Sequence, residues 1–218
     1  MKIFFTIIYM LYGNLMQAQE LSPFHKAIQI KVDVLPLVYD YSRLGIVLEK
    51  KIERYSVFAG GQYGTNLDMS QLVDDPNGHY SIWALQAGMK RVFPEAHGEY
   101  FYGLKLVYDK SKKFYSGDVY YDIPGQFAVL YDGAYYKRSR ISLFGETGYE
   151  FFFGKRFSLE IACGLGIVNM ENGYNDVNNP FHLEDVPPRE KRYKSRHKYV
   201  QNIWYPAVSG GLKLGWRI

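Results

Sequence analysis

With 218 residues and a formal net charge of +4, the chain has the size of one ordinary domain and is too mildly basic to imply a nucleic-acid partner. Its lone cysteine, Cys163, excludes an intramolecular disulfide framework, so stability has to come from packing and hydrogen bonding. The 21 Tyr, 14 Phe and 21 Gly favour strands and tight turns over helices.

Residues 1–19 carry one cation, Lys2, then an apolar stretch from Ile3 to about Met16 and the small Ala18 ahead of Gln19 and Glu20. That is the layout of a secretory signal peptide. The apolar run is shorter than the roughly 18 residues of a spanning helix, and no cysteine follows it to carry a lipid, so cleavage is expected near Ala18 or Gln19. Met16 is bulkier than the small residue usual two positions before Ala18. Without residues 1–19 the charge falls from +4 to +3, because only Lys2 is lost.

Eight later segments alternate with the two-residue period of a strand. The first runs from Ile28 to Tyr39, with Ile28, Ile30, Val32 and Val34 on one face and Pro36 marking an expected bulge. The second, Arg43 to Ile52, sets Leu44, Ile46 and Leu48 together, and the third, Tyr55 to Gly64, sets Tyr55, Val57, Ala59 and Tyr63. Trp83, Leu85, Ala87 and Met89 share a face of the fourth, Tyr80 to Val92. The fifth spans Tyr100 to Tyr108, the sixth Ile141 to Phe151 and the seventh Phe157 to Ile167. The eighth is the C-terminal YPAVSGGLKLGWRI, with Leu212, Leu214, Trp216 and Ile218 on one face and Lys213 and Arg217 on the other.

The links alternate in length. Short ones fall at Glu53-Arg54, Pro94 to Gly98 and Gly154 to Arg156, and long ones at 65–79, 110–136 and 169–204, with Asp40 to Ser42 a short exception. Short turns on one rim and long loops on the other is the arrangement of an outer-membrane barrel, and an even strand count places both termini on the periplasmic side. Phe127 to Arg138 reads as a hairpin around Asp132-Gly133, extending above the membrane, with a ten-strand barrel as the competing count.

The second face separates a soluble barrel from a membrane barrel. In the first the apolar face points inward; in the second it meets lipid and the other face fills the lumen. The alternate positions carry Lys31, Asp33, Glu49, Lys90, Lys105, Glu146, Glu150, Glu160, Lys213 and Arg217, five acids and five bases, with Gly45, Gly60, Gly88, Gly103, Gly148, Gly164, Gly166 and Gly215 between them. An eight-strand interior is only wide enough to be filled by side chains, so its charges must pair. Equal numbers allow pairing, and the glycines leave space for long side chains. Tyr39, Tyr63, Tyr80, Tyr108 and Tyr205 gather at one set of strand ends, and Tyr55, Phe93, Tyr100, Phe151, Phe157 and Trp216 at the other, as two interfacial girdles would. The expected fold is all-β: an eight-stranded antiparallel up-and-down transmembrane β-barrel over residues 20–218, with short periplasmic turns and long external loops.

The stretch Ile30 to Gly64, with the leader and the aromatic-bearing final strand, resembles the small outer-membrane β-barrel proteins of Bacteroidota. The shared pattern is K-x-D/N, then L-G-I-x-x-E, then S-x-x-x-G, with Asp33 where many relatives carry Asn. The likeness covers most of the chain in architecture and the first three strands in recognisable residues. It implies a fold and a compartment, and it hands over no catalytic residues.

His79-Tyr80-Ser81 looks like the His-x-Ser of outer-membrane lipid A deacylases, in which a histidine activates a serine nucleophile. His79, Ser81 and Trp83 share the lipid-facing side, yet Ile82-Trp83 stands where that family carries Asn-Ala. His25, His97, His182 and His197 have no metal-ligand spacing, and neither metal nor cofactor is expected. Glu146 and Glu150 lie about 13 Å apart on one strand face, beyond glycosidase range, and read as lumen partners of Lys105 or Lys90. From Pro187 to Tyr199, Arg189, Lys191, Arg192, Lys194, Arg196 and Lys198 stand against Glu190. Facing outward they would lie near lipopolysaccharide phosphates, which Arg and Lys can contact; the alternative is a solvated loop. Asn172 to Pro180 is rich in oxygen donors that could hold calcium, without a fixed ligand spacing.

The expected function is structural or interactive at the cell surface, with a plugged polar lumen and no catalysis. The expected partners are outer-membrane lipid, lipopolysaccharide and an unknown surface partner of the long loops. A narrow solute channel and a lipid A-modifying enzyme using His79 and Ser81 are the alternatives.

Overall fold

The computed structural model describes residues 28–34, 43–65, 80–95, 97–122, 127–183 and 199–218. The leader, Pro36, Tyr39, His25, His79, His197 and the basic residues Arg189, Lys191, Arg192, Lys194, Arg196 and Lys198 lie outside them. Nine strands are described: β1 (Ile28–Asp33), β2 (Leu44–Ile52), β3 (Tyr55–Thr65), β4 (Tyr80–Glu95), β5 (Gly98–Asp122), β6 (Phe127–Phe153), β7 (Phe157–Asn178), β8 (Phe181–Leu183) and β9 (Tyr199–Arg217).

Eight of them close into a ring, β1-β2-β3-β4-β5-β6-β7-β9 and back to β1, with each neighbouring pair antiparallel. The closing seam sets Gln29 opposite Arg217, Val32 opposite Leu214 and Asp33 opposite Lys213. Closure pairs both edges that an open sheet would leave bare. β2 and β3 meet through a two-residue turn in which Glu53 takes φ 55°, and β6 and β7 through a turn whose Gly154 takes φ 62°. Glycine adopts that left-handed conformation without strain. β8 lies outside the ring, paired with β6, so the ring holds eight strands and not ten.

Side chains alternate with strand parity. On β2, Leu44, Ile46, Leu48, Lys50 and Ile52 face outward and Gly45, Val47, Glu49 and Lys51 inward. The outer face carries an apolar band in which Leu48, Leu85 and Leu104 each keep more than half their surface exposed, while Lys31 and Glu160 inside are at most 1% exposed. Tyr55, Phe93, Tyr100, Phe157 and Trp216 face outward along the short-turn rim. The other girdle differs from the expectation: Tyr80 is buried with the inward Ile82 and Ala84, and Tyr205 packs inside against Phe144, Val168 and Met170. Parity forces both inward, and Tyr63, Trp83, Tyr108 and Trp204 supply the outward aromatics there.

The strands also outrun the periodic segments. β5 continues to Asp122 and β6 starts at Phe127, so the expected hairpin turn at Asp132-Gly133 lies within a strand, with Gly133 opposite Ser116. The register against β7 slips between Gly133 and Tyr135, the mark of a β-bulge. A Cβ on Gly133 would come within 2.8 Å of the Phe114 ring, which is why glycine stands there. Past the last β4 pair at Lys113, the β5–β6 hairpin overhangs the ring by nine residues, about 30 Å. Its tip returns to the ring: Tyr121 and Asp122 pair in parallel with Tyr199 and Val200. Ala128, Val129, Tyr131, Ala134 and Tyr136 are buried in this overhang, and Tyr174 stacks with Tyr131 and Tyr136 at 5.6 and 5.5 Å.

Candidate functional site

Three acids sit side by side on one inner wall. Glu99 of β5 is directly opposite Glu150 of β6, which is directly opposite Glu160 of β7. Adjacent like charges would be destabilising, and the neighbouring strands β4 and β9 together with β1 and β2 supply the answering lysines. Lys31 of β1 reaches across to place Nζ 2.6 Å from Glu160, 2.7 Å from Glu49 and 3.1 Å from Glu150. Lys90 of β4 pairs with Glu160 at 2.7 Å and Glu49 at 3.0 Å, and Lys213 of β9 with Glu160 at 2.8 Å. Lys51 of β2 bridges Glu99 and Glu150, and Ser56 donates to Glu49 at 2.5 Å.

Aromatic rings fill the space between these ions. Phe58 and Phe101 lie beneath the Lys90 ammonium at 5.1 and 4.5 Å, and Lys213 also lies over Phe58. These rings occupy the gaps left by Gly88 and Gly148, where an added Cβ would collide with Phe58 and Phe101 respectively. The inward glycines therefore make room for phenylalanines as well as for long charged chains. At the short-turn end, Arg217 stacks on Phe152 at 3.7 Å and faces the charges of Glu150 and Glu99.

Towards the overhang the charges separate into pairs. Lys105 bridges Glu146, which also accepts from Ser209 at 2.8 Å, and Lys105 lies over Phe144. Arg140 Nε donates to both Asp109 oxygens at 3.0 and 2.9 Å. Asp33 accepts from Gln62 at 3.0 Å. Val168, Met170, Ile203 and Tyr205 pack with Phe144 at this level, so the interior is part polar and part apolar. Further out, burial first and the Tyr131 hydroxyl second push the Tyr174 phenol above its ordinary pKa.

The structure thus brings Lys31, Glu49, Lys90, Glu150, Glu160 and Lys213 into one cluster, Lys105 and Glu146 into a second, and leaves Asp33 with an amide partner. Of the expected partners Lys105 or Lys90, Glu146 meets Lys105, while Glu150 meets neither and pairs with Lys31 and Lys51. Lys51, Glu99, Asp109 and Arg140 were missed by sequence reasoning, although continuing the parity from Glu49, Lys105 and Glu146 reaches all four. Oxygens of Glu49, Glu150 and Glu160 approach one another closely enough to hold a metal ion. The Lys31 ammonium already occupies the space they enclose.

Ser81 is exposed on the outer face, opposite Thr65 and Lys112. His97 and His182 are exposed on separate elements, a turn and β8. The oxygen-rich stretch from Asn172 is largely strand, with Asn172 donating to Tyr136 at 3.1 Å and Asn179 to Asp132 at 2.8 Å. These amides are committed to holding the overhang together. Fold and site define a closed all-β ring with a paired-charge interior and an apolar exterior. Neither the protein-family models nor the curated proteins match the chain.

Proposed function

We propose that the chain is an integral outer-membrane β-barrel, of the kind the small Bacteroidota barrels exemplify, with a structural or surface-interaction role and no catalysis. One observation supports this above the others: the faces are inverted relative to a water-soluble sheet. Leucine, isoleucine and tryptophan cover the outside, and six cations and seven carboxylates among the described residues are buried inside. In water, so continuous an exposed apolar band would exceed the few hundred Å² that monomers tolerate. In lipid the same band is the favourable surface.

The dimensions agree. Trp83 to Phe93 on β4 spans about 34 Å along the strand, or about 26 Å along the membrane normal at a 40° tilt, against the roughly 25 Å apolar band of such barrels. No helix among the described residues is long and apolar enough to cross a membrane, so a crossing by these residues is made by strands. Lys31, Lys90, Lys213, Phe58 and Phe101 meet across the lumen, which favours a plugged barrel over a solute channel.

The test is fractionation followed by gel mobility. The protein is expected in detergent extracts of the outer membrane, with a folded form that migrates differently until boiled, and with no stepwise conductance in a planar bilayer. Recovery as soluble periplasmic material without a heat shift overturns the reading. Stepwise conductance overturns the plug and leaves the channel.

A further inference from the structure

Just beyond the apolar band, on the outer face where β4, β5, β6 and β7 run together, a cleft of about 430 Å³ opens between Trp83, Lys110, Lys112, Lys137 and Glu171. The volume falls within the range of small-ligand sites. Pairing places the lysines together: Trp83 is opposite Lys110, Ser81 opposite Lys112, and Lys112 opposite Lys137. Further around the ring the described positions of the same two rows on β2 and β3 carry Leu44, Tyr63 and Thr65. Among the described residues none of the three lysines is in an ion pair.

Neutral groups hold the lysines in place. Lys112 Nζ sits 3.6 Å from the centre of the Tyr135 ring, and Lys110 lies over Tyr108 at 5.7 Å. With the Asn175 amide turned to satisfy both its atoms, its oxygen accepts from Lys137 at 3.3 Å. One row below, Leu85, Tyr108 and Ile141 begin the apolar band, and Ala87, Leu106 and Leu143 continue it. A cationic cleft standing on an apolar wall matches an amphiphile with an anionic head and acyl chains.

We infer that this cleft binds a phosphorylated lipid headgroup of the outer leaflet, with Lys110, Lys112 and Lys137 on the phosphate and the acyl chains lying against Leu106, Ile141 and Leu143. Three ammonium groups with one carboxylate, Glu171, among the described lining residues suit a head carrying more than one negative charge. The inference rests on the outer-membrane reading, and it assigns lipid contact to the barrel wall, separately from the basic residues Arg189 to Lys198.

The full chain, folded in detergent and then in vesicles, is tested by native mass spectrometry with three probes: a diphosphorylated disaccharide lipid, its dephosphorylated counterpart and inorganic phosphate. The wild type is expected to retain the diphosphorylated lipid at least about tenfold better than the dephosphorylated one, as loss of one charged hydrogen bond alone would produce. K110Q/K112Q/K137Q abolishes that preference while keeping heat-modifiable mobility, K137Q alone lowers it partially, and K191Q/K194Q/K198Q leaves it in place. Equal retention by the wild type and the triple variant overturns the site. Displacement of the lipid by millimolar inorganic phosphate also overturns it, because the cleft then takes a soluble anion. Failure to insert into vesicles removes the membrane reading and this inference together; insertion without phosphate preference removes only the inference.

Discussion

Replacing Lys31 by methionine tests the interior network with little change in volume. The ammonium lies within 3.1 Å of three carboxylates, and each keeps a second lysine: Glu49 keeps Lys90 at 3.0 Å, Glu150 keeps Lys51 at 3.2 Å, and Glu160 keeps Lys90 and Lys213 at 2.7 and 2.8 Å. Lys31→Met therefore leaves no carboxylate alone but leaves one buried negative charge unbalanced. Removing one member of a buried pair costs about 3–5 kcal/mol, and the remaining partners place this change near 3. With an m-value of about 3 kcal/mol/M, the guanidinium midpoint falls by about 1 M. Glu150→Gln, which leaves one buried positive charge, costs a similar amount. The double variant restores balance, with Lys51 on Glu99, Lys90 on Glu49 and Lys213 on Glu160. It should be more stable than the two single costs added together, with a coupling of about 2 kcal/mol. Trp83, Trp204 and Trp216 all face outward, so tryptophan emission in micelles reports unfolding. A Lys31→Met midpoint within about 0.2 M of wild type, or strict additivity in the double variant, refutes the reasoning.

Leu104→Lys, at the middle of the outer face of β5, should cost about 2–4 kcal/mol in lipid, whereas Ile52→Lys at the rim should cost about 0–1, both read from unfolding midpoints in vesicles. Equal and negligible effects would mean that water, not lipid, covers this face. Gly88→Ala drives a methyl into the Leu104 carbonyl oxygen and the Phe58 ring beneath Lys90 and should cost about 1–3 kcal/mol. Gly61→Ala, whose Cβ meets the nearest neighbour at 3.7 Å, should be within about 0.5 kcal/mol of wild type. Thermal melts in detergent compare the two, and equal losses would mean that crowding by Leu104 and Phe58 is not what requires glycine at position 88.

Facing was legible in the sequence because a strand has a period of two and these strands interleave apolar and charged residues with few exceptions. Leu44, Ile46 and Leu48 declare one side of β2, and Glu49 declares the other. Partner choice was not legible, because parity places a side chain inside the ring without saying which part of the opposite wall it meets. Glu150 therefore looked like a partner for Lys105 or Lys90, while the closed ring gives it Lys31 and Lys51. Tyr80 and Tyr205 were read as interfacial from their position at strand ends, although their own parity points inward. The overhang was hidden for a different reason. Residues 109–122 are rich in lysine, aspartate and serine, which resembles a solvated link, and they become strand because β6 offers them a continuous hydrogen-bonding partner. Asp132-Gly133 has the composition of a turn, and the structure uses its glycine to let the Phe114 ring pass.

The interior does a task that the outer face cannot. A slip of one residue between two strands would exchange their faces and is excluded by burial alone. A slip of two keeps leucine and isoleucine on the outside, because Leu44, Ile46 and Leu48 are nearly equivalent as outward apolar surface. Such a slip at the β7–β9 seam would move Lys213 from beside Glu160 to a position beside Ala162 or Ser158, and would leave the acids on β5, β6 and β7 with fewer lysines. The same slip at the β1–β9 seam would part Asp33 from Lys213. Glycines add a second lock, since Phe58 lies flat only where Gly88 stands opposite it, and Phe101 only across from Gly148. Buried ion pairs often contribute little net stability against apolar substitutes. Here their positions distinguish one closed register from its neighbours, which explains why an interior this costly to desolvate accompanies an exterior this permissive.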